Sequence, residues 1–194
     1  MFTIILQKSY HLKIEEKNYW FETYSNPVSV VNASGQPYRT EVADPSVVRG
    51  DNGYLYSVST DRRFLRSEDG CNWEVISESI IDLPSWGKEV TNSYNLWAPD
   101  LIKIGDQWIY YYSLSGLGNC HGIGYAVADE IAGPYEDKGK LVSVEELNLQ
   151  NCIDPALVFD GDKIYMAVGS FQGVDLVELT EDGMSLKGDS PEEW

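Results

Sequence analysis

Apolar and aromatic residues are grouped along this chain in short runs, and each run stops at a turn rich in Gly, Asp or Asn. Val174, Leu176, Val177 and Leu179 stand against Asp175 and Glu178. Trp108, Ile109, Tyr110, Tyr111 and Tyr112 follow one another without a polar break. Neighbouring residues of a strand point to opposite faces, and β-branched and aromatic side chains suit a pleated surface. The first pattern therefore reads as a strand with one buried face, and the second as a strand packed between two layers. Runs of this kind predict strands at residues 54–59, 107–115 and 163–170, then at 63–67, 122–128 and 174–179, with short strands at 73–77, 135–142 and 184–187. Residues 144–150 suggest a helix of one or two turns, and no long helix is expected.

The runs repeat. Asp44-Pro45-Ser46-Val47-Val48-Arg49, Ala98-Pro99-Asp100-Leu101-Ile102-Lys103 and Asp154-Pro155-Ala156-Leu157-Val158-Phe159 align without gaps, their prolines spaced by 99 − 45 = 54 and 155 − 99 = 56 residues. Each segment enters a turn, at Gly50-Asp51-Asn52-Gly53, Gly105-Asp106 and Asp160-Gly161-Asp162, where Gly, Asn and Asp accept the positive φ of a hairpin. A regular period with about four strands per unit is the signature of propeller blades. The expected fold is all-β: a partial β-propeller over 41–194 with blades at about 41–90, 95–145 and 151–188. It follows an irregular lead-in over 1–40, whose Tyr19, Trp20 and Phe21 pack on the first blade.

Composition narrows the function. The 31 acidic against 14 basic residues leave a formal charge of −17, which repels polyphosphate backbones and anionic lipid; neutral polysaccharide carries no such penalty. Nucleic acid and membrane are not expected partners. Cys71, Cys120 and Cys152 are odd in number and at no metal-ligand spacing, so they are read as buried or idle thiols. Cys120-His121 is not a nucleophile–base pair, because adjacent strand residues face opposite ways. No run reaches transmembrane length, and residues 2–6 are too short for a signal peptide. As written the chain is expected to be cytoplasmic; a start codon lying upstream would make it periplasmic or secreted.

Candidate chemistry sits where the innermost strand of each blade begins, at the mouth of the axial channel. Asp44 and Asp154 hold that place in the first and third units, Ala98 in the second, with Asp100 two residues on and on the same face. The following proline is expected to keep each aspartate extended. Trp97 is placed to stack on a sugar ring, and Phe171 has the analogous place in the third unit. Ser67-Glu68-Asp69-Gly70-Cys71-Asn72-Trp73 is similar to the Asp-box turn of sialidase-type propellers and is read as structure.

Residues 41–49, Leu96-Trp97-Ala98-Pro99-Asp100, Cys152 through Phe159 and Val168-Gly169-Ser170-Phe171 together resemble glycoside hydrolase family 43, over about residues 26–188. These are five-bladed propellers that include arabinanases, β-xylosidases and α-L-arabinofuranosidases. The resemblance implies an inverting glycosidase acting on arabinose- or xylose-containing polysaccharide. Asp44 would be the general base, Asp154 the carboxylate that modulates the acid's pKa, and Trp97, Phe171 and Asp100 substrate contacts. It implies no required cofactor and no metal ligand here; calcium occurs in some complete members through a histidine of a later blade. The family's general acid is a glutamate before Gly-Pro. The single Gly-Pro here, Gly133-Pro134, follows Ala132, and Glu192 and Glu193 lack that context, so the chain is expected to be truncated before the acid, by about two blades. A non-catalytic carbohydrate-binding propeller or inactive remnant is the alternative. Self-association through open blade edges is a third expectation.

Overall fold

The computed structural model describes residues 29–90, 94–116, 119–149, 151–171, 173–188 and 192–193. They form three sheets in chain order, antiparallel except where β1 joins the first. The first holds β1 (Ser29–Val31), β2 (Ser46–Arg49), β3 (Leu55–Val58), β4 (Phe64–Ser67) and β5 (Asn72–Ser77), ordered β1-β5-β4-β3-β2. The second runs β6 (Asn95–Ile104), β7 (Gln107–Gly116), β8 (Asn119–Ala128), β9 (Glu136–Ser143), and the third β10 (Ala156–Asp160), β11 (Lys163–Ser170), β12 (Gly173–Leu179), β13 (Glu192–Glu193). Among the described residues helices are confined to α1 (Gly87–Val90) and α2 (Val144–Leu147), with a 3-10 turn at Thr60–Arg62. The up-and-down order follows from the first hairpin of each unit, where Gly53, Gly105 and Gly161 supply positive φ (87°, 59° and 60°).

Two elements differ from the sequence expectation. Ser29–Val31, within the supposed irregular lead-in, adds a strand parallel to β5, pairing Val30 with Trp73; Tyr19, Trp20 and Phe21 lie outside the described residues. Residues 184–187 are not a fourth strand, because a self-capped turn uses up the local donors. Thr180 Oγ1 donates to Asp182 Oδ1 (2.6 Å), and the Met184 amide to the same oxygen (3.0 Å). One bridge, Leu179 to Leu186, remains, and β13 takes the place beside β12.

The middle sheet is apolar on both faces, as its uninterrupted aromatic run requires. From β7, Trp108, Tyr110 and Tyr112 pack with Tyr56, Val58 and Phe64 of the first sheet, while Ile109 and Tyr111 pack with Met166, Val168 and Val177 of the third. Alternate residues of one strand thus fill two separate cores. Each fully buried side chain of this size contributes about 1.5–3 kcal/mol. Tyr112 donates to Asp137 (2.6 Å) and Tyr111 to the Gly183 carbonyl (2.8 Å), so the hydroxyls of these two are satisfied where the rings are buried. On the outer sheets Val47, Val158 and Val174 stay exposed, as does Val42 in the loop before β2.

One carboxylate ties the inner strands together. Asp100 on β6 accepts Ser46 Oγ of β2 at Oδ1 (3.0 Å) and the Leu157 amide of β10 at Oδ2 (2.8 Å). Ser46 Oγ in turn accepts the Leu101 amide (3.0 Å). Replacing Asp100 by Ala strips partners from Ser46 and the Leu157 amide in a largely dehydrated place. Urea unfolding should show a loss of about 2–4 kcal/mol; an unchanged midpoint would remove the clamp from the account.

Candidate active site

Asp44 and Asp154 each stand one proline ahead of an inner strand, β2 and β10. Neither is extended, as the following proline led one to expect. Both have left-handed φ, 50° at Asp44 and 56° at Asp154, whereas Ala98 at the same place in the second sheet is not among the positive-φ residues. Such backbone costs about 1–3 kcal/mol per residue and persists only where neighbours over-determine it. The determinants are visible. The Thr60 amide donates to the Ala43 carbonyl (3.0 Å), and the Gly169 amide makes the same contact to Ile153 (2.8 Å). The Asp154 amide donates to Ser113 Oγ (2.9 Å), and this fully buried hydroxyl donates to the Ala98 carbonyl (3.0 Å).

The two carboxylates feel one another. Partial desolvation raises the Asp154 pKa, and the negative charge of Asp44 raises it further. Asp44 Oδ2 accepts the Thr60 hydroxyl (3.0 Å). At the equivalent place the second unit has the buried Ala98 and no carboxylate.

Asp100 proves to have a different task from the substrate contact expected of it. Both of its oxygens are engaged between strands, and burial raises its pKa. Trp97 is half-buried and belongs to neither core cluster. Phe171 is 96% exposed on the turn after β11. Gly133-Pro134 lies between β8 and β9 on the second sheet's outer side, away from both aspartates. The Asp-box-like segment is a turn device: Asp69 Oδ1 accepts the Cys71 and Asn72 amides (both 2.8 Å) and Trp73 donates to the Gly70 carbonyl (2.9 Å), which holds the Asp69 carboxyl well below the usual range. Cys71 is exposed rather than buried, Cys152 lies in the second core, and the Cys120 side chain is outside the described ones.

Sequence reasoning missed Thr60, Ser113, Asp61 and Asn95. The last two join across the mouth, Asn95 Nδ2 donating to Asp61 Oδ1. The Ser or Thr that closes the second strand of the units was the available signal. Among the described residues no group of three or more His, Cys, Asp or Glu side chains could hold a metal ion.

The chain is similar to proteins of known family and structure. Residues 36–193 match the model of Glycosyl hydrolases family 43. An extracellular exo-α-(1→5)-L-arabinofuranosidase of Cellvibrio japonicus is 32% identical, over 92% of this chain and 55% of its own length. A probable arabinan endo-1,5-α-L-arabinosidase of Aspergillus flavus is 32% identical over 84% of this chain and 50% of its own. Among solved structures, the Cellvibrio cellulosa α-L-arabinanase complexed with arabinohexaose superposes with a TM-score of 0.68 at 31% identity, covering 77% of this chain and 51% of that one. The endo-arabinanase of Bacillus licheniformis gives 0.66 at 30%, covering 76% and 54%. The chain thus spans about half the length of these relatives.

The coupling of the two carboxylates is directly measurable. In Asp44→Asn the charge that adds to the Asp154 shift is gone while the desolvation stays, so the Asp154 titration, followed by carbon-detected NMR of its carboxyl, should move part of the way back toward an ordinary aspartate. An unmoved titration would mean the two do not share a site.

Proposed function

This chain belongs to Glycosyl hydrolases family 43, and from that premise we propose that it carries the base half of an inverting glycosidase that cleaves arabinose-containing polysaccharide. The observation that carries the proposal is the pair Asp44 and Asp154, held in the same left-handed conformation at equivalent places and coupled by charge. Strain maintained at matched positions marks a working site better than residue identity does.

In this reading the Asp44 carboxylate takes a proton from water as the water oxygen bonds to the anomeric carbon. As that bond forms, the glycosidic bond breaks and its electron pair leaves with the glycosidic oxygen, which a separate carboxylic acid protonates. Asp154, beside that acid, orients it and keeps it protonated by like-charge repulsion. No glutamate of this sequence precedes a Gly-Pro, so the assignment for this chain is confined to base and modulator. Trp97 and Phe171 are the stacking surfaces for sugar rings, and a chain with net charge −17 meets a neutral glycan without repulsion. The relatives are named as α-1,5-arabinanases, arabinosidases or arabinofuranosidases, and three are named extracellular. We assign this chain the same substrate class and an extracellular setting.

The test is sugar release from linear arabinan and from nitrophenyl arabinofuranoside. Asp44→Asn should lower the rate about 10²–10⁴-fold, the contribution of a positioned general base. Trp97→Ala should weaken binding of arabino-oligosaccharides in calorimetry. Turnover that survives Asp44→Asn overturns the mechanism; binding without any turnover turns the reading toward a non-catalytic carbohydrate-binding propeller.

A further inference from the structure

Thr60 occupies a place that recurs in all three sheets. Ser46 pairs with Val58, Asp100 with Tyr111 and Ala156 with Ala167. Two residues beyond these partners stand Thr60, Ser113 and Gly169. The backbone amides of Thr60 and Gly169 hold the residue before an aspartate, Ala43 and Ile153. The hydroxyls of Thr60 and Ser113 each touch an aspartate as well: Thr60 reaches the Asp44 carboxylate of its own sheet, and Ser113 the Asp154 amide of the next. Gly169 has no side chain to give, and no further aspartate of this set follows it among the described residues.

The Thr60 hydroxyl is not free to drift. It opens a turn in which the next two residues, Asp61 and Arg62, have φ of 66° and 71°, a conformation non-glycine residues seldom share in succession. That turn is fastened on three sides. Arg62 donates through Nη1 to the Ile81 carbonyl (2.8 Å), the Ile80 amide donates to the Arg62 carbonyl (2.9 Å), and Asn95 of the second sheet holds Asp61. A hydroxyl on so constrained a backbone donates to one oxygen of Asp44 only. Oδ2 is thereby taken, and among the described residues Oδ1 has no hydrogen-bond partner.

We propose that Thr60 is the positioning residue of the base: its hydroxyl locks the Asp44 carboxylate rotamer by occupying Oδ2, so that Oδ1 alone is presented to the attacking water. The inference rests on the glycosidase reading for its chemistry, but the locking of the carboxylate does not depend on turnover. A base held within a fraction of an ångström of its water keeps rate that a swinging carboxylate loses.

The experiment compares Thr60→Val, which keeps the shape and removes the hydroxyl, with Thr60→Ser, which restores it. The first readout is the Asp154 titration by carboxyl NMR. With Asp44 released toward solvent, Thr60→Val should shift Asp154 toward an ordinary aspartate, and Thr60→Ser should return it to the wild-type position. The second is arabino-oligosaccharide hydrolysis, in which Thr60→Val should lose about 10- to 100-fold in kcat with KM within about twofold, and Thr60→Ser should recover most of it. If Thr60→Val does not fold, Thr60→Ala removes the same hydroxyl and takes the same measurements. Wild-type titration together with wild-type kcat in the hydroxyl-free variant overturns the proposal. A wild-type chain that hydrolyses nothing defeats the glycosidase reading instead, and the titration then decides the positioning role by itself.

Discussion

The Asp100 carboxylate is the constraint on which the rest of the structure hangs. Side-chain packing between sheets is non-directional, and two cores of aromatic and aliphatic residues would tolerate small rotations of one sheet on the next. A carboxylate that accepts from Ser46 on one side and from the Leu157 amide on the other allows no such slack. Burial raises its pKa, and the donors converging on it offset that rise only in part. Its two partners lie on the strands that follow Asp44 and Asp154, so the bond that aligns the sheets also sets where the two aspartates stand.

Strain is distributed along the same line. Asp44, Asp61, Arg62 and Asp154 all have left-handed backbone, and each adjoins the inner end of a sheet. The remaining non-glycine residue of this kind, Asn148, caps α2 and is unrelated to the mouth. Left to themselves these residues would relax to extended or turn geometry. They are held by backbone amides of Thr60 and Gly169, by the Ser113 hydroxyl and by the Arg62 guanidinium, all of which belong to well-packed strands or their ends. The rigid interior thus maintains a mouth that local preference would not form.

How far the sequence reveals this depends on the range of the interaction. The repeat, the hairpin glycines and the two-faced β7 were legible because each is a local pattern: a two-residue period, a turn residue, an unbroken aromatic run. Asp44 and Asp154 were legible as candidates because recurrence at a fixed period separates them from ordinary loop aspartates. The role of Asp100 was not, since its partners lie 54 and 57 residues away in the chain and an aspartate near a strand start looks the same whether it meets substrate or serine. The left-handed φ of the Asp-Pro pairs was hidden for the same reason. Proline biases its predecessor toward extended backbone, and only tertiary hydrogen bonds reverse that bias. Residues 184–187 read as a strand because their apolar spacing fits one, while the cap formed by Thr180 and Asp182 had already turned the chain.

These points bear on chemistry through one distance. Inversion needs a carboxylate on the water and an acid on the leaving oxygen about 6.5–9.5 Å apart, with any modulating carboxylate close enough to act by charge. Asp44 takes its position from its own sheet, through Thr60. Asp154 takes its position partly from the middle sheet, through Ser113 and the Ala98 carbonyl. The relation between them is therefore not a property of either loop alone; it runs through the middle sheet, which the Asp100 bonds tie to both neighbours. Ala98 stands at the equivalent place in that sheet, so the second unit carries no carboxylate there and packs between the two units that do.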